Sequence, residues 1–256
     1  MRIDLNCDLG ESSGVAGRAR DRRMMAHVTS INVACGAHAG DAETMRATVR
    51  AARAAGVSVG AHPGFADREG FGRRDVVLTP RELEDLVLRQ VDALCGIARA
   101  EGVVVRHVKP HGALYNMAGR DRAVADPVAR AVAGFDAGLT LVALSGSALV
   151  DAGRAAGLDV AAEVFADRAY DREGALVSRR LPGAVIQESR RMVARAVRLV
   201  RDGAVTAIDG EPLELAADTI CVHGDTPGAP GLVLTLRNGL EAAGISVAPL
   251  RVGSTS

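Results

Sequence analysis

Aromatic side chains are nearly missing from this 256-residue chain, which has no tryptophan, two tyrosines and four phenylalanines. Stacking platforms for bases or sugars are therefore scarce, and the core has to be built from Ala, Val, Leu and Ile. Net charge is also missing, with 31 basic residues against 31 acidic ones. Neither a basic face for nucleic acid nor an acidic solvating arm follows from that balance. No apolar run approaches the roughly 20 residues that a membrane span needs. The N-terminus M-R-I-D-L-N-C-D has no apolar signal core. A soluble cytoplasmic protein without nucleic-acid or membrane partners is the expectation. Cys7, Cys35, Cys95 and Cys221 form no C-x-x-C, so zinc-ribbon and thioredoxin readings fail. Small buried thiols are the simpler reading. G-x-G-x-x-G after the first strand, G-x-x-x-x-G-K-[ST] and H-E-x-x-H are absent too, which counts against a dinucleotide fold, a P-loop and a zincin.

Lysine is the scarcest of the charged residues. Among the 31 basic residues only Lys109 is not arginine, and it stands in R-H-V-K-P-H-G-A-L-Y-N between His107 and His111. A chain that uses Arg for ordinary positive charge retains Lys here for what Arg does not supply: a compact point charge on a flexible stem. It follows the apolar run V-V-V, so three titratable groups meet at the end of a strand.

Short apolar runs alternate with longer Ala/Arg/Leu stretches. Strands are expected at Arg2–Asn6, Thr29–Ala34, Val57–Ala61, Val103–Val108, Thr140–Leu144, Asp159–Val164 and Thr219–Val222. Helices are expected at Ala42–Ala55, Pro80–Glu101, Ala123–Ala133, Ser147–Ala156, Gln187–Asp202 and Leu232–Ala243. Asp41 is a good N-cap, Thr79-Pro80 with Glu82 resembles a capping box, and Gly56, Gly102, Gly157, Gly203 and Gly244 suit helix ends. Alternating strands and helices indicate an α/β fold with a parallel sheet under helices. Seven or so units suggest a closed or nearly closed barrel in one domain over residues 1–256, with an open doubly wound sheet as the alternative. Gly60–Asp75 and Phe165–Pro182 are the long irregular segments, and loops of that length are often functional.

In a β/α barrel the site gathers at the carboxyl ends of the strands. The first strand runs into Asn6, Asp8 and Glu11, the second into His38 and Asp41, and the third into His62. The fourth runs into Lys109 and His111, then Tyr115 and Asn116, and the sixth into Glu163, Asp167 and Arg168. The last ends in H-G-D, with His223 and Asp225. Five of the six histidines stand at or beside strand ends. Convergent imidazoles and carboxylates suit either divalent-metal binding or acid/base work around a carbonyl, with Lys109 stabilising negative charge. For a metal, Asp8, His38 and His62 are the first ligands to consider. The loop Asp67–Arg74 is basic and Gly-rich, and its Arg68, Arg73 and Arg74 suit a carboxylate or phosphate.

The set D-L-N-C-D-L-G-E, N-V-A-C-G-A-H-A-G-D, G-A-H-P-G-F-A-D-R, F-G-R, R-H-V-K-P-H-G-A-L-Y-N, E-V-F-A-D-R-A-Y and C-V-H-G-D resembles the LamB/YcsF family. The resemblance runs from Arg2 to about Leu250. It implies a seven-stranded β/α barrel of the glycoside hydrolase/deacetylase type. It also implies one part of an enzyme that opens 5-oxo-L-proline to L-glutamate with ATP hydrolysis, working with 5-oxoprolinase subunits B and C. ATP coupling overcomes an unfavourable ring opening, and Mg²⁺ is expected with the nucleotide. In that setting Asp8, His38, His62, Lys109, His111, His223 and Asp225 are the catalytic candidates. Asn6, Glu11, Asp41, Arg73, Tyr115, Asn116, Glu163, Asp167 and Arg168 are the candidates for holding substrate or nucleotide. Two rivals remain: a stand-alone metal-dependent deacetylase or carbohydrate hydrolase, and a non-catalytic subunit that delivers ligand.

Overall fold

The computed structural model describes residues 1–186, 188–222 and 228–250. Seven strands form a closed parallel barrel: β1 (Arg2–Leu9), β2 (Ser30–Ala34), β3 (Ser58–His62), β4 (Val105–Val108), β5 (Thr140–Leu144), β6 (Val160–Phe165) and, late in the chain, β9 (Thr219–Cys221). β9 pairs with both β6 and β1, which closes the ring. A short β10 (Ser246–Val247) adds in parallel to the start of β1. β7 (Ala204–Thr206) and β8 (Pro212–Glu214) make a separate antiparallel hairpin. Eight helices complete the described chain: α1 (Gly14–Met25), α2 (Ala42–Ala55), α3 (Pro80–Ala100), α4 (Gly112–Arg120), α5 (Arg122–Phe135), α6 (Ala148–Ala155), α7 (Ser189–Asp202) and α8 (Ala229–Ala242). Among the described residues no helix is long and apolar enough to cross a membrane.

Local signals account for the best-defined helices. The Asp41 side chain accepts from the Thr44 amide at 2.7 Å and Gly56 closes α2 with φ 67°, so its two ends stand where the sequence places them. Its buried residues Met45, Thr48, Val49 and Ala52 recur at helical spacing on one face. At α3 the capping box between Thr79 and Glu82 is complete. The expected start of α7 at Gln187 lies outside the described residues, and α7 is described from Ser189.

Four features were not expected from the sequence, the short β10 among them. The stretch after Glu11 forms α1 rather than a loop. Its buried residues Gly17, Asp21, Met24 and Met25 fall on one helical face, but two of them are glycine and aspartate, so the apolar repeat that marks a helix in sequence is missing. The buried Asp21 carboxylate accepts from the Gly10 amide at 3.0 Å, tying the helix to the end of β1. Helix α4 begins directly after the fourth strand's motif, where the Ala113 amide donates to the Gly72 carbonyl at 2.9 Å. The β7–β8 hairpin is the third.

The strands alternate in an informative way. Ile3, Leu5, Cys7 and Leu9 of β1, Ile31 and Val33 of β2, and Val164 and Ile220 are all buried, and they belong to the apolar core beneath the helices. The intervening residues are polar, and they bond to one another across the barrel axis. Asp4 accepts from Thr29 Oγ1 at 2.7 Å, from Ser30 Oγ and from Thr219 Oγ1. One step up, the Asn6 amide donates to Glu163 Oε1 at 2.9 Å and to Thr219 Oγ1 at 2.7 Å. Asn32 donates to Asn6 Oδ1 and to Asp8 Oδ1, both at 2.8 Å. Buried polar groups are tolerable only when satisfied in this way. Gly60 of β3 has no side chain because His107 fills its place: a Cβ there would stand 2.1 Å from the ring Nε2.

Candidate active site

The polar axis surfaces at the carboxyl ends of the strands, in a cavity of about 670 Å³. At its floor is Lys109, immediately after β4, which is 3% exposed. Its Nζ lies 3.0 Å from Asp8 Oδ1, 2.9 Å from Glu163 Oε1 and 3.1 Å from Cys221 Sγ. An ammonium has three N–H bonds, and these three partners, with Asn6 Oδ1 a more distant fourth at 3.4 Å, take them all. Burial opposes its charge, but Asp8 and Glu163 outweigh burial and hold the Lys109 pKa above the ordinary lysine value. Glu163 is fully buried and also receives the Tyr115 hydroxyl at 2.7 Å. Burial, then Glu163, pushes the Tyr115 pKa up, so the phenol keeps its proton and donates.

Asp8 and His62 form the reactive face. His62 Nδ1 is 2.7 Å from the Lys109 carbonyl, an acceptor, so Nδ1 carries the hydrogen. Nε2 then faces Asp8 Oδ2 at 3.4 Å. Nε2 makes no hydrogen bond among the described residues; a proton taken up there would lie between it and the carboxylate oxygen at the cavity wall. Below them, Asn32 directs its amide nitrogen at Asp8 and its carbonyl at His107 Nε2, 2.8 Å away. Asp8 as a carboxylate only accepts, so the Asn32 orientation follows and His107 donates from Nε2.

His38 and His111 stack, with ring centroids 3.7 Å apart and planes 2° apart. His38 is 1% exposed, yet among the described residues neither of its nitrogens has a hydrogen-bond partner, and Nδ1 of His111 lacks one as well. Burial, reinforced by His62, pushes the His38 pKa down to about 3. Burial and the neighbouring His62 and His38 push His111 lower still. Both rings are neutral near pH 7. With Glu11 they form a trio whose ligand atoms lie within 4.8 Å of one another. The distances and the neutral imidazoles suit a divalent metal, but the ring planes do not. A metal about 2.1 Å from a nitrogen lies in that imidazole's plane, and with parallel stacked rings it cannot lie in both. In this arrangement the trio does not fit a metal.

The sequence-predicted residues separate into groups. Asp8, Glu11, His62, Arg73, Lys109, His111, Tyr115, Asn116 and Arg168 line the cavity. Asn6 and Glu163 lie beneath it in the barrel axis, and His38 stacks behind His111. Asp8, His38 and His62, the metal ligands suggested by the sequence, are not the trio that converges. His62 turns Nδ1 to a carbonyl, and Lys109 and Asn32 occupy Asp8 Oδ1. Asp41, expected to hold substrate or nucleotide, caps α2 instead, and the Thr44 amide lowers its pKa. Asp167 stands at the head of the segment after β6, where its carbonyl accepts from the Ile186 amide at 2.8 Å. His223 and Asp225 lie outside the described residues. The end of β5 was not among the expected site positions, yet Ser145, Gly146 and Ser147 line the cavity there. Glycine between two serines at a strand-to-helix junction was the signal available.

A closed parallel β/α barrel with an acid–base cluster at the carboxyl ends of its strands is the class that fold and geometry define. The chain belongs to the LamB/YcsF family, whose profile matches residues 3–254. It is 57% identical to the 5-oxoprolinase A subunit of Chloroflexus aggregans over 96% of this chain and 98% of that one. Among solved structures, the lactam utilization protein of Thermus thermophilus superposes with a TM-score of 0.91 at 46% identity, covering 98% of this chain and 100% of that one. A polysaccharide deacetylase of Bacillus cereus shares the fold, with a TM-score of 0.52 at 11% identity over 99% and 94% of the two chains.

Proposed function

We propose that this chain is the A subunit of an ATP-dependent 5-oxoprolinase. The complex would open the lactam of 5-oxo-L-proline to L-glutamate while hydrolysing ATP to ADP and phosphate. The partners are 5-oxoprolinase subunits B and C, Mg²⁺ accompanies the nucleotide, and the setting is cytoplasmic. Similarity over nearly the whole chain to a protein named as a 5-oxoprolinase A subunit and to a lactam utilization protein supports this reading. The observation that carries the chemistry is the Asp8–His62 pair at the cavity wall, held from beneath by Lys109.

Lactam hydrolysis adds water across the C–N bond. A base takes a proton from water as oxygen bonds to the carbonyl carbon, and an acid returns a proton to the departing ring nitrogen. The Asp8–His62 pair supplies both roles by taking the proton at one atom and releasing it later. Lys109 acts through Asp8. With its three N–H bonds taken, it fixes the carboxylate's position and ionisation rather than meeting the substrate, so it is a positioning residue. For ATP to drive the unfavourable ring opening the two reactions must share an intermediate. Transfer of the γ-phosphoryl group to the amide oxygen, releasing ADP, would activate the carbonyl carbon for water, and phosphate would leave as the ring C–N bond breaks and glutamate forms.

The test is glutamate and ADP release from 5-oxoproline, ATP and Mg²⁺, using this chain alone, candidate subunits B and C, and all three together. Activity confined to the full mixture, and lost with Asp8→Asn, is the expected result. Undiminished coupled activity with Asp8→Asn would remove the mechanism but keep the role in the complex. An inactive full mixture of folded proteins would remove the role.

A further inference from the structure

The cavity has a second end that the lactam chemistry above does not use. It is built from the loops that follow β5 and β6, which are neighbouring strands. The turn Ser145-Gly146-Ser147 leads from β5 into α6, and Gly146 takes φ 72° to make it. Ser147 is the residue before the helix, where a serine ordinarily accepts from an amide of the first turn. It does not do so here. Its hydroxyl is buried with no partner among the described residues, and the residue, 7% exposed, lines the cavity. The Val150 amide bonds back to the Ser147 carbonyl at 3.0 Å. The amides of Ala148 and Leu149, at the positive end of α6, have no acceptor within the helix.

From the next loop comes Arg168, also 7% exposed and lining the same cavity. Its Nη2 donates to the Val177 carbonyl at 2.7 Å, while its Nε is buried with no partner among the described residues. Among the described residues no ion pair joins it. Burial lowers its pKa, Arg179 and Arg73 add positive potential, and Asp167 offsets part of that. A buried guanidinium with no counter-ion among the described residues, lining the same cavity as a helix start with an idle hydroxyl, is costly unless something negative binds. Exposed Asp75 and Glu173 also line the cavity, and neither pairs with Arg168. Asp8 and Glu11 belong to the imidazole end.

We propose that Ser147, the first amides of α6 and Arg168 form a subsite for a small oxyanion, separate from the acid–base end of the cavity. Hydroxyl, helix amides and a guanidinium are the donor set that such groups take. Two anions of the proposed reaction have this chemistry: the carboxylate of the lactam acid and a phosphoryl group. Only the choice between them rests on the lactam reading. With the carboxylate anchored here, the ring amide would be held toward Asp8 and His62.

Calorimetric titration of the full chain separates these sources, using 5-oxoproline, the neutral lactam 2-pyrrolidinone and inorganic phosphate as probes. The variants are Ser147→Ala, which removes one hydroxyl, and Arg168→Gln, with circular dichroism to check folding. The expected result is that at least one anionic probe binds the wild type. Each variant then weakens that binding by roughly tenfold or more, and 2-pyrrolidinone is indifferent to both. Binding of 5-oxoproline assigns the subsite to the substrate carboxylate, and binding of phosphate alone assigns it to a phosphoryl group. In the latter case the subsite stands while the lactam reading loses support. If 5-oxoproline binds folded Ser147→Ala as it binds the wild type, the subsite is overturned and the lactam reading survives. If no anion binds the wild type, the subsite is overturned as well.

Discussion

Lys109 Nζ lies 2.9 Å from Glu163 Oε1, joining the ends of the fourth and sixth strands across a barrel axis from which Glu163 has no exposure at all. The two charges depend on each other. Removing one partner of a buried pair leaves the other uncompensated, at a cost of about 3–5 kcal/mol. Lys109→Met should therefore lower the urea-derived unfolding free energy by about that amount, and Glu163→Gln in the same chain should recover part of it. Lys109→Arg should restore little, because the ammonium site is enclosed by Asp8, Glu163, Cys221 and Asn6 and a guanidinium is larger. Strictly additive effects of the two substitutions would sink the claim that they are coupled.

His38 should separate stability from activity. Its nitrogens have no hydrogen-bond partner among the described residues although it is almost fully buried. Leucine removes two unsatisfied polar atoms at similar volume, so His38→Leu should unfold within about 1 kcal/mol of the wild type. If the imidazole serves the reaction, activity reconstituted with the partner subunits should fall by roughly 100-fold or more. A variant that keeps its activity would make His38 a packing residue.

Gly60 leaves room for His107. An alanine there would place its Cβ within 2.1–2.5 Å of three ring atoms of His107, and overpacking of this kind costs about 1–3 kcal/mol. Gly60→Ala should lower the thermal midpoint clearly. In a His107→Ser background the same change should be much milder, a comparison that calorimetry of four proteins can make. An equal cost in both backgrounds would place the strain elsewhere.

Stability should fall on mild acidification. Burial, with Lys109 adding to it, pushes the His107 pKa from 6.5 down to about 3. The folded state therefore refuses a proton that the unfolded chain accepts below pH 6.5. A depressed pKa of this kind contributes stability that is present above 6.5 and lost progressively as pH falls toward 3. Each such group adds a slope of about 1.4 kcal/mol per pH unit, and His38 adds to it in the same direction. His107→Gln, which keeps a donor for Asn32, should flatten the fall in unfolding free energy between about pH 6.5 and 4. An unchanged slope would mean that other groups carry it.

What the sequence made legible was whatever local chemistry dictates. Helix α2 was readable to its last residue because Asp41 starts it, Gly56 stops it and its apolar face repeats at helical spacing. The same holds for the capping box of α3. Helix α1 was not readable. Its reason to exist is the contact between Asp21 and the Gly10 amide, which periodicity does not encode. The short hairpin and β10 likewise depend on distant segments, and β10 pairs with residues almost the whole chain length away.

The site divides in the same way. Spacing alone put imidazoles, carboxylates and the single lysine at strand ends, because a parallel barrel turns the carboxyl end of every strand toward one mouth. Which atoms meet there was decided by the barrel's register and closure. Those bring β4 opposite β1 and β6 so that Lys109 uses all its donors on Asp8, Glu163 and Cys221. They also stack His38 on His111, an arrangement unsuited to a shared metal, and leave the Ser147 hydroxyl and the Arg168 Nε without partners among the described residues, in two side chains that line one cavity. Sequence fixes which groups a chain has to offer and roughly where along each strand they fall. Hydrogen-bond direction and ring orientation are properties of three-dimensional neighbours, and only the folded barrel supplies those.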